Sequence, residues 1–327
     1  MMSQHEEPET PAEPRVRSAA AQRYLAAREA RRTAPPERLS DPPAPEEDTL
    51  WRGLLRDGQM RLIVARAGRA SHEIAERLGC EAVASAFLHE LVTAAQLLRA
   101  TLNPDETLQL AGFQQGGVGN FVVDVFEDGG VRATLRHPDA EGLALVGGTM
   151  QVTRQQRGRG QYRSSVAFDA DARPVDVLMH YLLESEQILT LLEVDLDPSR
   201  RDHGMAAVGY LVQLMPEGSR EDLARLVQNL QASGRPGAAM TAEDADGVAW
   251  AERLLGGFYW DQVARQELGF SCPCSPERVL TLLASLPKAD LAEVIEGLEV
   301  VESTCDYCRT SYATPVDQIR VLLDSPS

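Results

Sequence analysis

Apolar side chains recur at helical spacing early in the chain. In "EAVASAFLHELVTAAQLLRATL", Val83, Phe87, Leu91, Ala94 and Leu98 return on one face, and "ASHEIAERLG" before it has the same texture. Ahead of both, "LRDGQMRLIVARAG" predicts a strand, so folded sequence starts near Leu50. The texture then becomes strand-like. "TLQLAGF", "NFVVDVFED", "GVRATLRH", "GGTMQVTR" and "YRSSVAFD" read as strands, separated by Gly-rich or charged turns that include "QQGGVGN" and "EDGG". A helix, "PVDVLMHYLLESEQ", and two further strands, "LLEVDLD" and "AVGYLVQLMP", follow. Strands in succession after helices predict an α+β core rather than a doubly wound parallel sheet.

The pattern changes after Pro216. "SREDLARLVQNLQASG" is amphipathic, with Leu223, Leu226, Val227 and Leu230 as anchors; "RPGAAMTAEDADG" is a weak break; "VAWAERLLGGFYW" reads as helix ended by Gly256 and Gly257. Isolated helices of this length are marginal in water. The chain therefore divides into a disordered tail (1–48), an α+β core domain with mixed helix and sheet (49–216), a metastable helical linker (217–268) and a small C-terminal four-cysteine zinc domain (269–327). The tail is rich in Pro, Glu, Ala and Arg. Its one helix-forming stretch, "VRSAAAQRYLAAREARR", carries only Tyr24 and Leu25 as large apolar anchors, which predicts no stable fold.

Charge narrows the partners. A formal net charge of -17 repels nucleic acid and anionic lipid, and Lys288 is the sole lysine, so no basic stripe exists for a zinc-ribbon nucleic-acid binder. "MMSQHEEPET" has no apolar signal core, and no apolar run approaches the roughly 20 residues that span a bilayer. The expectation is a soluble, cytoplasmic protein with no nucleic-acid or membrane partner. In a reducing compartment, clustered cysteines favour metal binding or redox chemistry over structural disulfides.

Four of the five cysteines cluster at the end, as C-x-C in "GFSCPCSPER" and C-x-x-C in "ESTCDYCRTS". Two short pairs can supply four thiolates from two tight turns, the donor set of a tetrahedral zinc site: Cys272, Cys274, Cys305 and Cys308, one Zn2+ per monomer. Around them, Ser275 is placed to cap a helix with Pro276 at its first position and Glu277 in the first turn, packing Val279, Leu280 and Leu283. "KADLAEVIEG" is a second helix stopped by Gly297, "LEVVEST" and "TSYA" read as short strands, and Thr314 as the cap of a last helix, "PVDQIRVLL". So small a module gains from a metal staple. The residues leave open whether that staple is permanent or switches.

The stretch "FSCPCSPER…LASLPKADLAEVIE…CDYC…Y" resembles the C-terminal zinc domain of the 33 kDa heat shock protein family, the redox-regulated holdase chaperones. The likeness extends upstream through "ELVTAAQLLRATL" and "LQLAG", Tyr181, Ser185–Glu186–Gln187, and "GYLVQLMP", and covers about 50–323. Asn103, Leu189, Val208 and the turn "QQGGVG" depart from the family pattern; none touches the cysteines. The resemblance implies an ATP-independent holdase and not an enzyme. Reduced protein would hold zinc and be inactive. Oxidation would form the neighbour disulfides Cys272–Cys274 and Cys305–Cys308, release zinc, unfold the linker and expose a surface for unfolding client proteins under oxidative stress. The oxidised form would dimerise. Leu223, Leu226, Leu230, Leu254, Leu255 and Phe258 are the expected client-binding anchors. Two alternatives remain: a zinc-stapled interaction protein without switching, and a thiol oxidoreductase, although the latter expects its C-x-x-C early, at a strand-to-helix turn.

The other candidates read as structural. Cys80 in "ERLGCEAV" is isolated, and His5, His72, His89, His137, His180 and His203 show no ligand spacing. "GGVGN" lacks the lysine and helix of a phosphate loop and predicts a hairpin turn.

Overall fold

The computed structural model describes residues 48–55, 60–197, 206–216, 218–234 and 248–324. The tail through residue 47, the whole of the break 235–247 and the last three residues lie outside the described residues.

Two antiparallel half-sheets make a ten-stranded sheet ordered β7-β6-β3-β4-β5-β10-β1-β2-β9-β8. The first half holds β3 (Glu106–Gln114), β4 (Phe121–Val125), β5 (Gly130–Leu135), β6 (Val146–Gln156) and β7 (Gly160–Ala170). The second holds β1 (Asp48–Leu55), β2 (Met60–Arg66), β8 (Thr190–Asp197), β9 (Ala206–Leu214) and β10 (Trp260–Phe270). A short parallel pairing joins the halves, Gly269 with Gly130 and Phe270 with Val131. Helices α1 (Gly68–Leu78), α2 (Ala82–Arg99) and α3 (Pro174–Glu184) cover one face. Nearly all of α2 from Phe87 onward is buried, because it touches strands of both halves. This explains why its apolar positions extend beyond one stripe.

The opposite face of β1, β2 and β9 carries a second core. There Trp51, Met60, Leu62, Val64, Tyr210 and Val212 pack against α4 (Arg220–Ala232) and α5 (Val248–Leu254). Ser219 caps α4, its hydroxyl accepting the Asp222 N–H at 3.0 Å. Asn229 Nδ2 donates to the carbonyls of Leu254 at 2.7 Å and Gly256 at 3.1 Å, tying the helices together. The cysteine module follows as α6 (Pro276–Ala284), α7 (Lys288–Ile295), the hairpin β11 (Val300–Thr304) and β12 (Ser311–Pro315), and α8 (Val316–Asp324). Its own small core comprises Leu291, Ile295, Val301, Val316 and Ile319.

The structure revises several sequence expectations. The first predicted strand is β2, and a strand the sequence reading did not place, β1, precedes it and pairs with it antiparallel. Asp48 opens β1 and is buried: its carboxylate accepts the N–H groups of Arg69 at 3.1 Å and Ala70 at 2.7 Å, at the start of α1. Among the described residues of 217–268, Arg220–Ala232 and Val248–Leu254 are helical as expected, but Trp260 onward forms β10, which pairs with β1. Gly53 makes room for that pairing, since a Cβ there would sit 3.2 Å from the indoles of both Trp51 and Trp260. In α6, Leu280 and Leu283 are only partly buried, and Thr314 lies within β12 rather than capping α8. The "QQGGVGN" turn connects β3 to β4 with Gly116, Gly117 and Gly119 at positive φ, as expected of a hairpin.

Candidate metal centre

β10 carries the first cysteine pair directly out of the sheet. Gly129 and Gly130 permit this. At Gly129 (φ +90°) a Cβ would lie 2.3 Å from the Glu267 carbonyl, and at Gly130 it would lie 2.7 Å from Ser271 Cβ. The Ser271 N–H then donates to the Val131 carbonyl at 2.9 Å, so Cys272 is one residue beyond the last sheet hydrogen bond. Arg278 Nη1 holds the Pro273 carbonyl at 2.7 Å, and the Ser275 hydroxyl accepts the Arg278 N–H at 3.3 Å, capping α6 as the sequence predicts.

The second pair occupies the turn of the β11–β12 hairpin. The Cys305 N–H donates to the Thr310 carbonyl and the Arg309 N–H to the Cys305 carbonyl, each at 2.9 Å. Arg309 takes a φ of 60°, the left-handed conformation that closes the turn.

These turns bring the four sulfurs within 4.8 Å of one another. Cys272 and Cys305 Sγ are 3.8 Å apart, Cys274 and Cys308 Sγ 3.2 Å apart, and all four are free thiols. A zinc–sulfur bond of about 2.3 Å in a tetrahedron places sulfurs about 3.8 Å apart. The donor set therefore fits such an ion in both chemistry and spacing. Without a cation the sulfurs do not ionise together. Burial pushes Cys274 up to about 12, reinforced by the neighbouring sulfurs against the hydrogen bond from Tyr312. Burial also raises Cys308, but hydrogen bonds from Thr310 and the adjoining thiols outweigh it and bring the group to about 6. A bound cation supplies the charge that lets all four lose their protons.

Residues outside the cysteine pattern complete the site. Tyr312 donates its hydroxyl to Cys274 Sγ at 3.0 Å. From the core, Arg132 Nη1 lies 3.8 Å from Cys272 Sγ, and its guanidinium carbon sits 3.9 Å from the centroid of the Tyr307 ring. Arg77 of α1 stacks over Phe270 at 4.7 Å and donates to the Cys308 carbonyl at 3.3 Å. Tyr312 belongs to the motif recognised in the sequence. Arg77 and Arg132 had no local signal, because they are 231 and 140 residues from the cysteines they meet.

The remaining candidates fall elsewhere. Cys80 is half-buried against the main core, and burial pushes its thiol up to about 11. His89 is wholly buried and His180 exposed. The six expected client anchors are not displayed in this structure. Leu223, Leu226, Leu230, Leu254 and Leu255 are buried in the second core, and Phe258 packs half-buried at its edge beneath Arg225.

A family model described as Hsp33 protein matches residues 48–314. The chain is 30% identical over 287 residues to the 33 kDa chaperonin of Symbiobacterium thermophilum, covering 83% of this chain and 96% of that one. It is 29% identical over 294 residues to the 33 kDa chaperonin of Levilactobacillus brevis, covering 84% and 97%. The crystal structure of the 33 kDa chaperonin (heat shock protein 33 homolog) of Thermotoga maritima superposes with a TM-score of 0.71 at 20% identity, covering 85% of this chain and 98% of that one.

Proposed function

Because the chain belongs to the Hsp33 family, a family of chaperones and not of enzymes, we propose that it is a redox-regulated, ATP-independent holdase that is zinc-bound and inactive when reduced. The observation that carries this reading is the four-sulfur cluster placed at the end of a sheet strand, with an apolar linker face buried on the same half-sheet. Cys272, Cys274, Cys305 and Cys308 hold one zinc ion as thiolates. Bound zinc supplies the free energy that keeps the two cysteine turns together around a small core.

A two-electron oxidant such as hydrogen peroxide attacks the thiolate form. Two equivalents convert the four thiolates to the disulfides Cys272–Cys274 and Cys305–Cys308. Four protons are taken up, and four waters and the free cation are released. Each disulfide closes a small, strained ring, which keeps it reducible, and neither ties distant parts of the chain together. The module then loses its staple, and β10, continuous with it, loses its anchor. The linker helices lift from β1, β2 and β9, and Leu223, Leu226, Leu230, Leu254, Leu255 and Phe258 become a surface for unfolding clients, together with the sheet face beneath them. The active form is a homodimer, and the reduced form belongs to a reducing compartment such as the cytoplasm. Among the described residues no helix is long and apolar enough to cross a membrane.

The test is suppression of client aggregation under mild heat, comparing reduced, zinc-loaded protein with peroxide-treated protein. Activity in the treated sample alone supports the switch. Equal activity, or none in either, leaves only a permanent zinc staple.

A further inference from the structure

Arg132 and Asp124 are direct cross-strand partners on β5 and β4, and the guanidinium Nε donates to Asp124 Oδ2 at 2.8 Å. Gln109 of β3 holds the other carboxylate oxygen at 2.8 Å. Three strands thus fix one partly buried cation. Its free edge faces the cysteine module twice: Nη1 toward Cys272 Sγ at 3.8 Å, and the guanidinium plane toward the Tyr307 ring at 3.9 Å. One contact lies in each cysteine turn. The adjacent residue, Val131, accepts the Ser271 N–H and pairs with Phe270, so this cation sits where the two half-sheets join.

We propose that Arg132 is a positioning residue that docks the thiolate centre on the core sheet and couples its charge to the β5–β10 junction. The inference rests on the functional reading above. Four thiolates around a divalent cation carry a net charge of −2, whereas two disulfides carry none. Oxidation therefore removes the negative partner that Arg132 meets at Cys272 and leaves a partly buried cation against neutral sulfur. The attraction that seats the module disappears in the same step that removes its metal. Loss of charge is thereby transmitted to Ser271, Phe270 and β10, beyond the module's own fold. Tyr307 supplies the planar face that makes arginine, rather than lysine, suited to the position.

The experiment uses the full reduced, zinc-loaded chain and needs no client. Zinc transfer to a chromogenic chelator is timed for wild type, Arg132→Met, Arg132→Lys and Tyr307→Leu, with hydrogen exchange followed over 129–135 and 267–275. Arg132→Met and Tyr307→Leu should each release zinc about ten-fold faster, the scale of outer-shell effects on metal sites. Arg132→Lys should fall between them and wild type. The reduced Arg132→Met protein should exchange at the junction as peroxide-treated wild type does. The double variant Arg132→Met, Tyr307→Leu should be no faster than Arg132→Met alone, because that change already removes the Tyr307 stack together with the Cys272 contact. If Arg132→Met does not fold, Tyr307→Leu decides, since it changes no residue of the core sheet. Wild-type release rates and protection in the folded variants overturn the role of Arg132 while leaving the zinc switch standing. A reduced wild type that holds no zinc overturns both.

Discussion

The indole of Trp250 lies against the ring of Tyr210, centroids 5.1 Å apart, with both side chains essentially inaccessible to water. Trp250 belongs to α5 and Tyr210 to β9, so this contact fastens the linker to the core sheet. Replacing a buried large aromatic by alanine costs about 3–5 kcal/mol. Most of that loss falls on the docking of α4 and α5. Reduced Trp250→Ala should therefore bind a hydrophobic dye and suppress client aggregation without oxidant, as should Leu226→Ala. Silence in both assays with the fold intact would show that linker docking does not gate activity.

Metal content gives the next expectation. The reduced chain should carry one zinc per monomer by elemental analysis, with four thiols shielded from titration until the metal is removed. The double change Cys305→Ser, Cys308→Ser removes half of the donor set and should abolish stoichiometric zinc. Undiminished zinc there would place the site elsewhere.

Peptide mapping after peroxide should find Cys272 joined to Cys274 and Cys305 to Cys308. Cys80 should remain a thiol, because burial pushes it up to about 11 and leaves little thiolate to react at neutral pH. Cys274 and Cys308 approach to 3.2 Å across the pairs, so a dominant Cys274–Cys308 bond is the competing outcome. It would lock the two turns together and argue for a static module.

Oxidation with zinc release should raise amide exchange across about 217–324 while the core helices stay protected. Trp250 is buried and Trp260 partly so, the latter stacked 5.7 Å from Trp51, so emission should shift to the red as they meet water. Trp51→Phe should preserve that shift. Unchanged exchange over 217–268 alongside full holdase activity would falsify linker release.

His89 gives the core a pH dependence of its own. Burial lowers it to about 4 from an ordinary value near 6.5, against the raising effect of the Nδ1 contact with the Ser85 carbonyl at 2.7 Å. The folded state thus holds a neutral imidazole, while the unfolded chain protonates first as pH falls. Its share of stability is whole above about pH 6.5 and declines toward pH 4, by at most about 1.4 kcal/mol per unit. His89→Leu should flatten the fall in melting temperature between pH 7 and 5 relative to wild type. An identical slope in the two proteins would assign the dependence to other groups.

Local chemistry in the sequence determined a good deal of this protein. Periodicity placed α1 to α4 and most strands, because each pattern is written within one element. The cysteine spacing and Ser275 announced the two cysteine turns for the same reason. Tertiary structure alone decided what those elements meet. Trp260 to Phe270 carries no strong strand pattern, since its side chains are largely exposed; its place in the sheet comes from backbone pairing with β1, at the far end of the folded chain. The linker leucines read as anchors of helices too short to stand alone, and they are buried because β1, β2 and β9 offer them a second apolar face, a property of no single segment. Arg132 and Arg77 carry no local signal in the sequence; only the fold brings Cys272 and the Cys308 carbonyl to them. Contacts between residues far apart in sequence leave no periodic trace, because the geometry that creates them exists only once the sheet has closed.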